Sequence, residues 1–191
     1  ARLVAQKLTD SLGQQVVVDN RPGASGIIGC DIVAKAQPDG YTALMMSLTF
    51  AVLPSLFSKL PYDTMKDLTP VTMVASAPLM LVVHPSVPAK SVSELIALAK
   101  ARPGQLQFAA GATGGGPSMA GLLLNQSAGV DIVQVPYKGN APALTDLLGG
   151  QVTMMFDTIN TSIAFAKAGR LRALAVTSLK RSPLAPELPT V

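Results

Sequence analysis

A glycine-rich loop lies between a predicted strand and a predicted helix, and its residue types fit the binding of an anion. Its sequence, at residues 111–118, is GATGGGPS. Glycines allow a ligand to approach the backbone closely, and Pro117 suits the first turn of a helix. Free backbone N–H groups and the positive end of the helix dipole favour a carboxylate. The predicted ligand-binding residues of this loop are Thr113, Gly114, Gly115, Gly116 and Ser118. The alternative is a flexible turn that only joins strand to helix.

A second candidate is the tripeptide Tyr137, Lys138 and Gly139, which follows a predicted strand and precedes a predicted helix. In open α/β sheets, ligands bind at the carboxyl ends of the strands, where helix N-termini converge. Tyr137 would border the ligand while backbone N–H groups point at an anion. Lys138 is equally consistent with a solvated surface cation.

Asp157 stands at the carboxyl end of a further predicted strand, residues 152–156, at the same edge of the sheet. There it would accept a hydrogen bond from a ligand amine or hydroxyl. Its alternative role is to cap the next segment together with Thr158, because aspartate and threonine are good N-cap residues.

A third candidate comes earlier in the chain, where Ser47, Thr49 and Phe50 are predicted to end a strand before Pro54. Hydroxyl and backbone groups at that point would hold a carboxylate. The alternative for Phe50 is a place in the hydrophobic core.

Two glycine patterns resemble nucleotide-binding motifs, but neither pattern matches its motif. Residues 111–116 have the spacing of a P-loop, but Pro117 occupies the position of its lysine, so a phosphate would lack its charge partner. Residues 23–29 read GASGIIG, which is not the dinucleotide fingerprint and lacks an acidic residue at the proper distance. A nucleotide-dependent α/β enzyme is therefore an alternative that the missing lysine opposes.

Composition excludes several other classes of function. Cys30 and His84 are the only cysteine and histidine, so the chain cannot assemble an internal disulfide or a zinc cluster of cysteines and histidines. The fifteen Lys and Arg are scattered, and three Tyr, five Phe and no Trp offer few stacking platforms, so a nucleic-acid partner is not expected. With no general-base constellation, we expect a binding protein with no cofactor and no metal, not an enzyme.

Strands and helices alternate along the chain, which predicts an α/β protein with mainly parallel sheets. The predicted strands are residues 16–18, 42–47, 71–75, 79–84, 107–110, 132–135, 152–156 and 171–177. The predicted helices are residues 26–36, 91–102, 118–128, 140–148 and 162–168. The helix at residue 91 opens with SVSE, the spacing of a capping box. One strand follows another across residues 76–78, which predicts a boundary there: residues 1–76 form lobe one, 77–176 form lobe two, and 177–191 return toward lobe one.

Seven motifs in order give the chain a recognisable resemblance. They are DNRPGA (19–24), PDGYT (38–42), LPYD (60–63), KDLTPV (66–71), VPYKG (135–139), LLGGQV (147–152) and LRALAV (171–176). Together they closely resemble the Bug-type extracytoplasmic solute receptors of tripartite tricarboxylate transporters, over essentially the whole chain.

The resemblance implies a periplasmic protein with a type II binding-protein clamshell. Its two lobes would close over a small organic or amino-acid carboxylate and deliver it to the membrane components of the transporter. It implies ligand contacts for the loop at 111–118 and for the segment at 47–51, where Phe50 replaces a residue that is commonly histidine. It also implies that lobe one is incomplete in this chain. A cytoplasmic effector-binding domain of a transcription regulator, which shares this architecture, is a further alternative.

Overall fold

The computed structural model describes residues 1–111 and 114–191, which divide into two compact units, Ala1–Val71 and Thr72–Val191. The helices are α1 (Arg2–Leu12), α2 (Ile27–Ala34), α3 (Thr49–Leu56), α4 (Val92–Ala101), α5 (Gly116–Ala128), α6 (Asn140–Leu148) and α7 (Ile159–Lys167), with a short 3₁₀ turn at Ala24–Gly26. The strands are β1 (Leu79–Val83), β2 (Gln107–Ala110), β3 (Val133–Pro136), β4 (Met154–Thr158) and β5 (Arg172–Val176). The predicted return segment, residues 177–191, belongs to the second unit, and the assignment of lobes stays a prediction.

The first unit is helical in its described residues, and three strands predicted for the chain's first part are wrong. Residues 16–18, 42–47 and 71–75 are not in any strand. A segment becomes a strand only when its N–H and C=O groups pair with a neighbour. The described residues offer these three segments no such partner, so local β-propensity alone does not make them strands.

A helix, α3, replaces the predicted end of a strand before Pro54, and that prediction is also wrong. The helix contains Pro54, which cannot donate a backbone hydrogen bond. Packing outweighs this loss, because Leu53 on α3 is fully buried in a cluster with Cys30 of α2 and Tyr62. The hydrophobic core of the first unit is built on this cluster.

The second unit contains a mixed sheet with strand order β3-β2-β4-β1-β5. Strand β2 pairs in parallel with β3 and β4, whereas β1 is antiparallel to both β4 and β5. The α/β class is confirmed, and β1 is the one described strand of this sheet that opposes the other four.

Helices cover both faces of this sheet, and side chains alternate between the faces along each strand. Leu81 and Phe108 face a core shared with α4 and α5, while Met80, Val82 and Met155 face a core shared with α6 and α7. Burial on both faces explains why β1, for example, reads as a continuous apolar run. The sheet is thereby a rigid base for groups at its edges.

Helix α4 begins with the predicted capping residue. The Ser91 hydroxyl accepts a hydrogen bond from the Glu94 N–H at 3.1 Å. The Glu94 carboxylate accepts from the N–H of Lys90 at 2.7 Å, one residue before the position that a capping box requires. Side chains at the start of α4 therefore accept hydrogen bonds from backbone N–H groups of the same segment. Within the described residues, no helix is long and apolar enough to cross a bilayer.

Candidate ligand-binding site

Three helices of the second unit begin at the same edge of the sheet, where β2, β3 and β4 end. Helix α6 follows β3 after three residues, and α7 follows β4 directly. Helix α5 also starts there, because a Cβ on its first residue, Gly116, would lie 3.5 Å from Leu79, which pairs with the last residue of β4. We call this region, with the starts of α5, α6 and α7, the carboxyl edge.

None of these three helices is capped by the side chain of its N-cap residue. The N-cap residues are Gly115, Gly139 and Thr158, and none of the three makes a side-chain cap hydrogen bond. The first N–H groups of a helix have no partner within the helix. The carboxyl edge thus gathers backbone donors and three positive helix ends, an arrangement suited to an anion.

The glycine-rich loop reaches this edge with little room for side chains. Gly111 is buried, and a Cβ on it would lie 2.7 Å from the backbone nitrogen of Asn140. Gly114 has a φ of 75°, which favours glycine, whereas Gly115 is extended, with φ −69° and ψ 159°. Gly114 and Gly115 are buried and Gly116 is half-buried. Thr113 lies outside the described residues.

Ser118, also predicted to contact the ligand, is buried in the first turn of α5. Its hydroxyl accepts a hydrogen bond from the Gln134 side-chain amide on β3 at 3.0 Å. Only 1% of Ser118 is exposed. The contact ties the start of α5 to β3 and so fixes the position of the loop.

The tripeptide Tyr137, Lys138 and Gly139 forms the connection from β3 to α6. The Tyr137 hydroxyl donates to Asp146 Oδ2 at 2.8 Å, and the ring packs against the core below α6. Burial, and next the hydrogen bond to Asp146, raise the pKa of Tyr137. Its phenol is therefore neutral and directed toward α6. Lys138 is exposed and Gly139 half-buried.

Asp157 lies within β4, one residue before the strand ends, and only 1% of it is exposed. Its Oδ2 accepts hydrogen bonds from Ser162 at 2.5 Å and Thr161 at 2.6 Å. Its Oδ1 accepts from the Asn140 side-chain amide at 3.4 Å. The sequence did not single out Thr161 and Ser162. The sequence signal that could have identified them is a pair of hydroxyl residues, four and five positions after a carboxylate at a strand end.

Ser47, Thr49 and Phe50 belong to the first unit, around the start of α3. The Ser47 and Thr49 hydroxyls are 3.2 Å apart. Ser47 is exposed, Thr49 is buried, and Phe50 packs against the cluster of Cys30, Leu53 and Tyr62. Phe50 therefore makes the contacts expected from its alternative interpretation, a place in the hydrophobic core.

A cavity of about 370 Å³ in the second unit does not coincide with the carboxyl edge. Its lining includes Pro85, Gly169 and Leu171, which lie where β1 ends and β5 begins, at the opposite edge of the sheet. Among the described residues, no group of three or more His, Cys, Asp or Glu is placed to hold a metal ion.

The sheet, its helices on both faces and the donors at one edge define an α/β ligand-binding domain. Residues 1–191 match the family described as tripartite tricarboxylate transporter family receptor, TctC, and the chain belongs to that family. The resemblance seen in the sequence is confirmed.

Similar proteins include BugT of Bordetella pertussis, 44% identical over 193 residues, which cover all of this chain and 59% of that protein. A UPF0065 protein of Pseudomonas sp. strain P51 is 42% identical over 191 residues, covering all of this chain and 57% of that protein. The chain therefore spans less than two thirds of the length of these relatives.

Solved structures share the fold. Rpa4515 of R. palustris with adipate has a TM-score of 0.89 and 39% identity, with 100% of this chain and 64% of that one covered. The periplasmic binding protein BugD has a TM-score of 0.86 and 37% identity, with 99% and 63% covered. MatC of Rhodopseudomonas palustris with bound malate has a TM-score of 0.85 and 34% identity, with 100% and 65% covered. The fold is that of TctC-type periplasmic binding proteins.

Proposed function

We propose that the protein is an extracytoplasmic receptor that captures a small organic or amino-acid carboxylate for a tripartite tricarboxylate transporter. The observation that carries the proposal is the carboxyl edge, where α5, α6 and α7 all begin at N-cap residues that make no side-chain cap hydrogen bond. Donors fixed by a rigid sheet bind an anion without reorganising, which favours affinity.

The proposed ligand contacts are the backbone groups of Gly114, Gly115 and Gly116 and those at the start of α6. Thr113 and the first-unit residues Ser47, Thr49 and Phe50 remain proposed contacts from the sequence. Lys138, exposed beside the start of α6, supplies a positive charge that attracts an anion to this edge.

The solved relatives support a carboxylate as the ligand class, since Rpa4515 was determined with adipate and MatC with malate. We propose a periplasmic location and delivery to the membrane components of the transporter; the family's description as a transporter receptor and the periplasmic binding protein BugD support this. We propose binding without catalysis. Family membership favours a receptor over a nucleotide-dependent enzyme or a regulator domain.

Titration calorimetry of the purified protein tests the proposal. The ligands are adipate, malate, glutamate and benzoate, with ATP and NAD as nucleotide controls. We expect saturable binding of at least one carboxylate and no binding of either nucleotide. Binding of ATP or NAD with no response to any carboxylate would overturn the receptor assignment.

A further inference from the structure

We infer that Asp157 is a positioning residue that fixes the starts of α6 and α7 for carboxylate binding and does not itself contact the ligand. The inference rests on the proposed function, because it assigns a role within the same site. It replaces the direct ligand contact that the sequence predicts for this residue.

The hydrogen bonds of Asp157 join two helices through one carboxylate. Asn140, its partner on Oδ1, is the first residue of α6. Thr161 and Ser162, its partners on Oδ2, lie in the first turn of α7. Asp157 itself is on β4, between β2 and β1 in the interior of the sheet. The central strand thereby holds both helix starts at fixed positions.

Burial separates this role from ligand contact. With 1% of Asp157 exposed and both oxygens already accepting hydrogen bonds, a ligand would have to displace Asn140 or a hydroxyl to reach it. An ionised aspartate can accept hydrogen bonds but cannot donate them, and its negative charge would repel a carboxylate placed against it. Its effect on an anionic ligand must therefore pass through the groups it holds.

Asn140 also packs closely against Gly111, at the start of the glycine-rich loop. Asn140 lies between Asp157 and Gly111, whose hypothetical Cβ would clash with the Asn140 backbone and side chain. One buried carboxylate thus sets the spacing of α6 against both α7 and the loop that leads to α5. Backbone donors bind an anion strongly only when their mutual geometry is fixed, since misaligned hydrogen bonds weaken steeply.

The test is Asp157→Asn, which keeps the shape but replaces one acceptor oxygen with a donor amide. We expect adipate and malate affinity to fall together by about tenfold, equivalent to about 1.4 kcal/mol. We also expect faster hydrogen exchange of the first-turn amides of α6 and α7. Asp131→Asn is the matched control, because Asp131 is exposed and precedes β3 at the opposite edge.

Leu95→Ala separates positioning from loss of stability. Leu95, a residue of α4, is buried in the core on the sheet face opposite α6 and α7, so its truncation lowers the melting temperature without removing any hydrogen bond of Asp157. We expect Leu95→Ala to keep wild-type affinity at temperatures where it is folded. Equal affinity losses in Asp157→Asn and Leu95→Ala would overturn the inference.

Four further outcomes decide the matter. Wild-type affinity in Asp157→Asn would overturn it, and so would a loss confined to malate, because malate carries a hydroxyl that adipate lacks and a direct acceptor would discriminate between them. If Asp157→Asn does not fold, Ser162→Ala and Thr161→Val replace it, and unchanged affinity in both contradicts the assignment. If the wild-type protein binds no carboxylate, the proposed function fails, and unchanged first-turn exchange in Asp157→Asn would then separately refute the positioning role.

Discussion

Gly111 and Asn140 lie so close together that no side chain fits between them. A Cβ on Gly111 would lie 2.7 Å from the Asn140 nitrogen and 2.7 Å from the carbonyl carbon of Gly139. Real Cβ atoms almost never come within 3.0 Å of backbone, so the residue following β2 is restricted to glycine by the start of α6. The end of β2 and the start of α6 are therefore in such close contact that a change at one displaces the other.

Gly111→Ala should push α6 away from β2. We expect a loss of about 1 to 3 kcal/mol in the free energy of unfolding, as for other overpacked sites. Carboxylate affinity should fall as well, because the displaced donors belong to the carboxyl edge. Urea unfolding and titration calorimetry measure the two effects.

Gly149→Ala is the control for this substitution. Gly149 has a negative φ at the other end of α6, and its nearest neighbours to a Cβ are backbone oxygens at 3.6 Å. Alanine fits there without strain, so stability should be unchanged or slightly higher. Wild-type stability and affinity in Gly111→Ala would contradict the prediction, because they would show that displacing α6 affects neither quantity.

Ser91→Ala should lower stability without changing ligand affinity. The substitution removes the acceptor for the Glu94 N–H at the start of α4, which costs about 1 kcal/mol. Helix α4 follows β1, which ends at the edge opposite the candidate site. Ser93→Ala, at an exposed position inside the same helix, should leave stability nearly unchanged. A fall in affinity for Ser91→Ala would mean that the two edges are coupled.

Tyr137→Phe should reduce stability at neutral pH by about 1 kcal/mol, since it removes the hydrogen bond to Asp146. Burial first, and Asp146 second, raise the Tyr137 pKa above the ordinary value of 10.0. The folded protein therefore keeps this proton to higher pH than the unfolded chain does, and stability falls as pH rises through the folded pKa.

The difference in stability between wild type and Tyr137→Phe should shrink above pH 10, the ordinary tyrosine pKa. Tyr62, whose pKa burial also raises, is present in both proteins and cancels from the difference. Urea unfolding at neutral pH and at pH values above 10.0 measures the change. A difference that grows with pH would contradict the assigned direction of the pKa shift.

The second unit was largely predictable because β1, β2, β4 and β5 are mostly buried apolar runs and most of its helices have clear ends. The predicted bounds of β2 and α6 agree with the structure, and the strands at β1, β3, β4 and β5 are shifted at their ends by two residues or fewer. The direction of β1 was not predictable, since an apolar run has the same pattern whichever way it enters the sheet.

The predicted strand before Asp157 ends two residues earlier than β4 does. The predicted strand ended at Phe156, which would leave Asp157 at the edge, whereas β4 continues through Thr158. Asp157 then pairs with Met80 in the ladder and is covered by the hydroxyls of α7. Strand ends depend on pairing with neighbouring strands, which the local sequence does not encode.

The first unit was poorly predicted for a related reason. Valine at 16–18 and 71–75 favours strand locally, but pairing partners come from elsewhere in the chain. Pro54 argued for the end of an element, yet the burial of Leu53 stabilises a helix around it. In both cases tertiary contacts, not local propensity, decide the structure.

Gly115→Asp tests whether the start of α5 binds the ligand's carboxylate. Gly115 is the N-cap of α5 in an extended conformation that any residue can adopt, and aspartate is among the preferred N-cap residues. The substitution should therefore preserve the helix while placing a negative charge where the ligand's charge would lie. Gly115→Asn is the matched control, because asparagine caps a helix about equally well without the charge.

The two variants have side chains of similar size and similar capping ability, so their comparison isolates the effect of the negative charge. Like charges about 4 Å apart repel by about 1 to 4 kcal/mol near a protein surface, so the aspartate variant should bind adipate about tenfold or more weakly than the asparagine variant. The gap should narrow as salt is added, because screening weakens repulsion between accessible charges. Equal calorimetric affinities for the two variants would remove the start of α5 from the site, leaving α6 and α7 as the anion-binding helices.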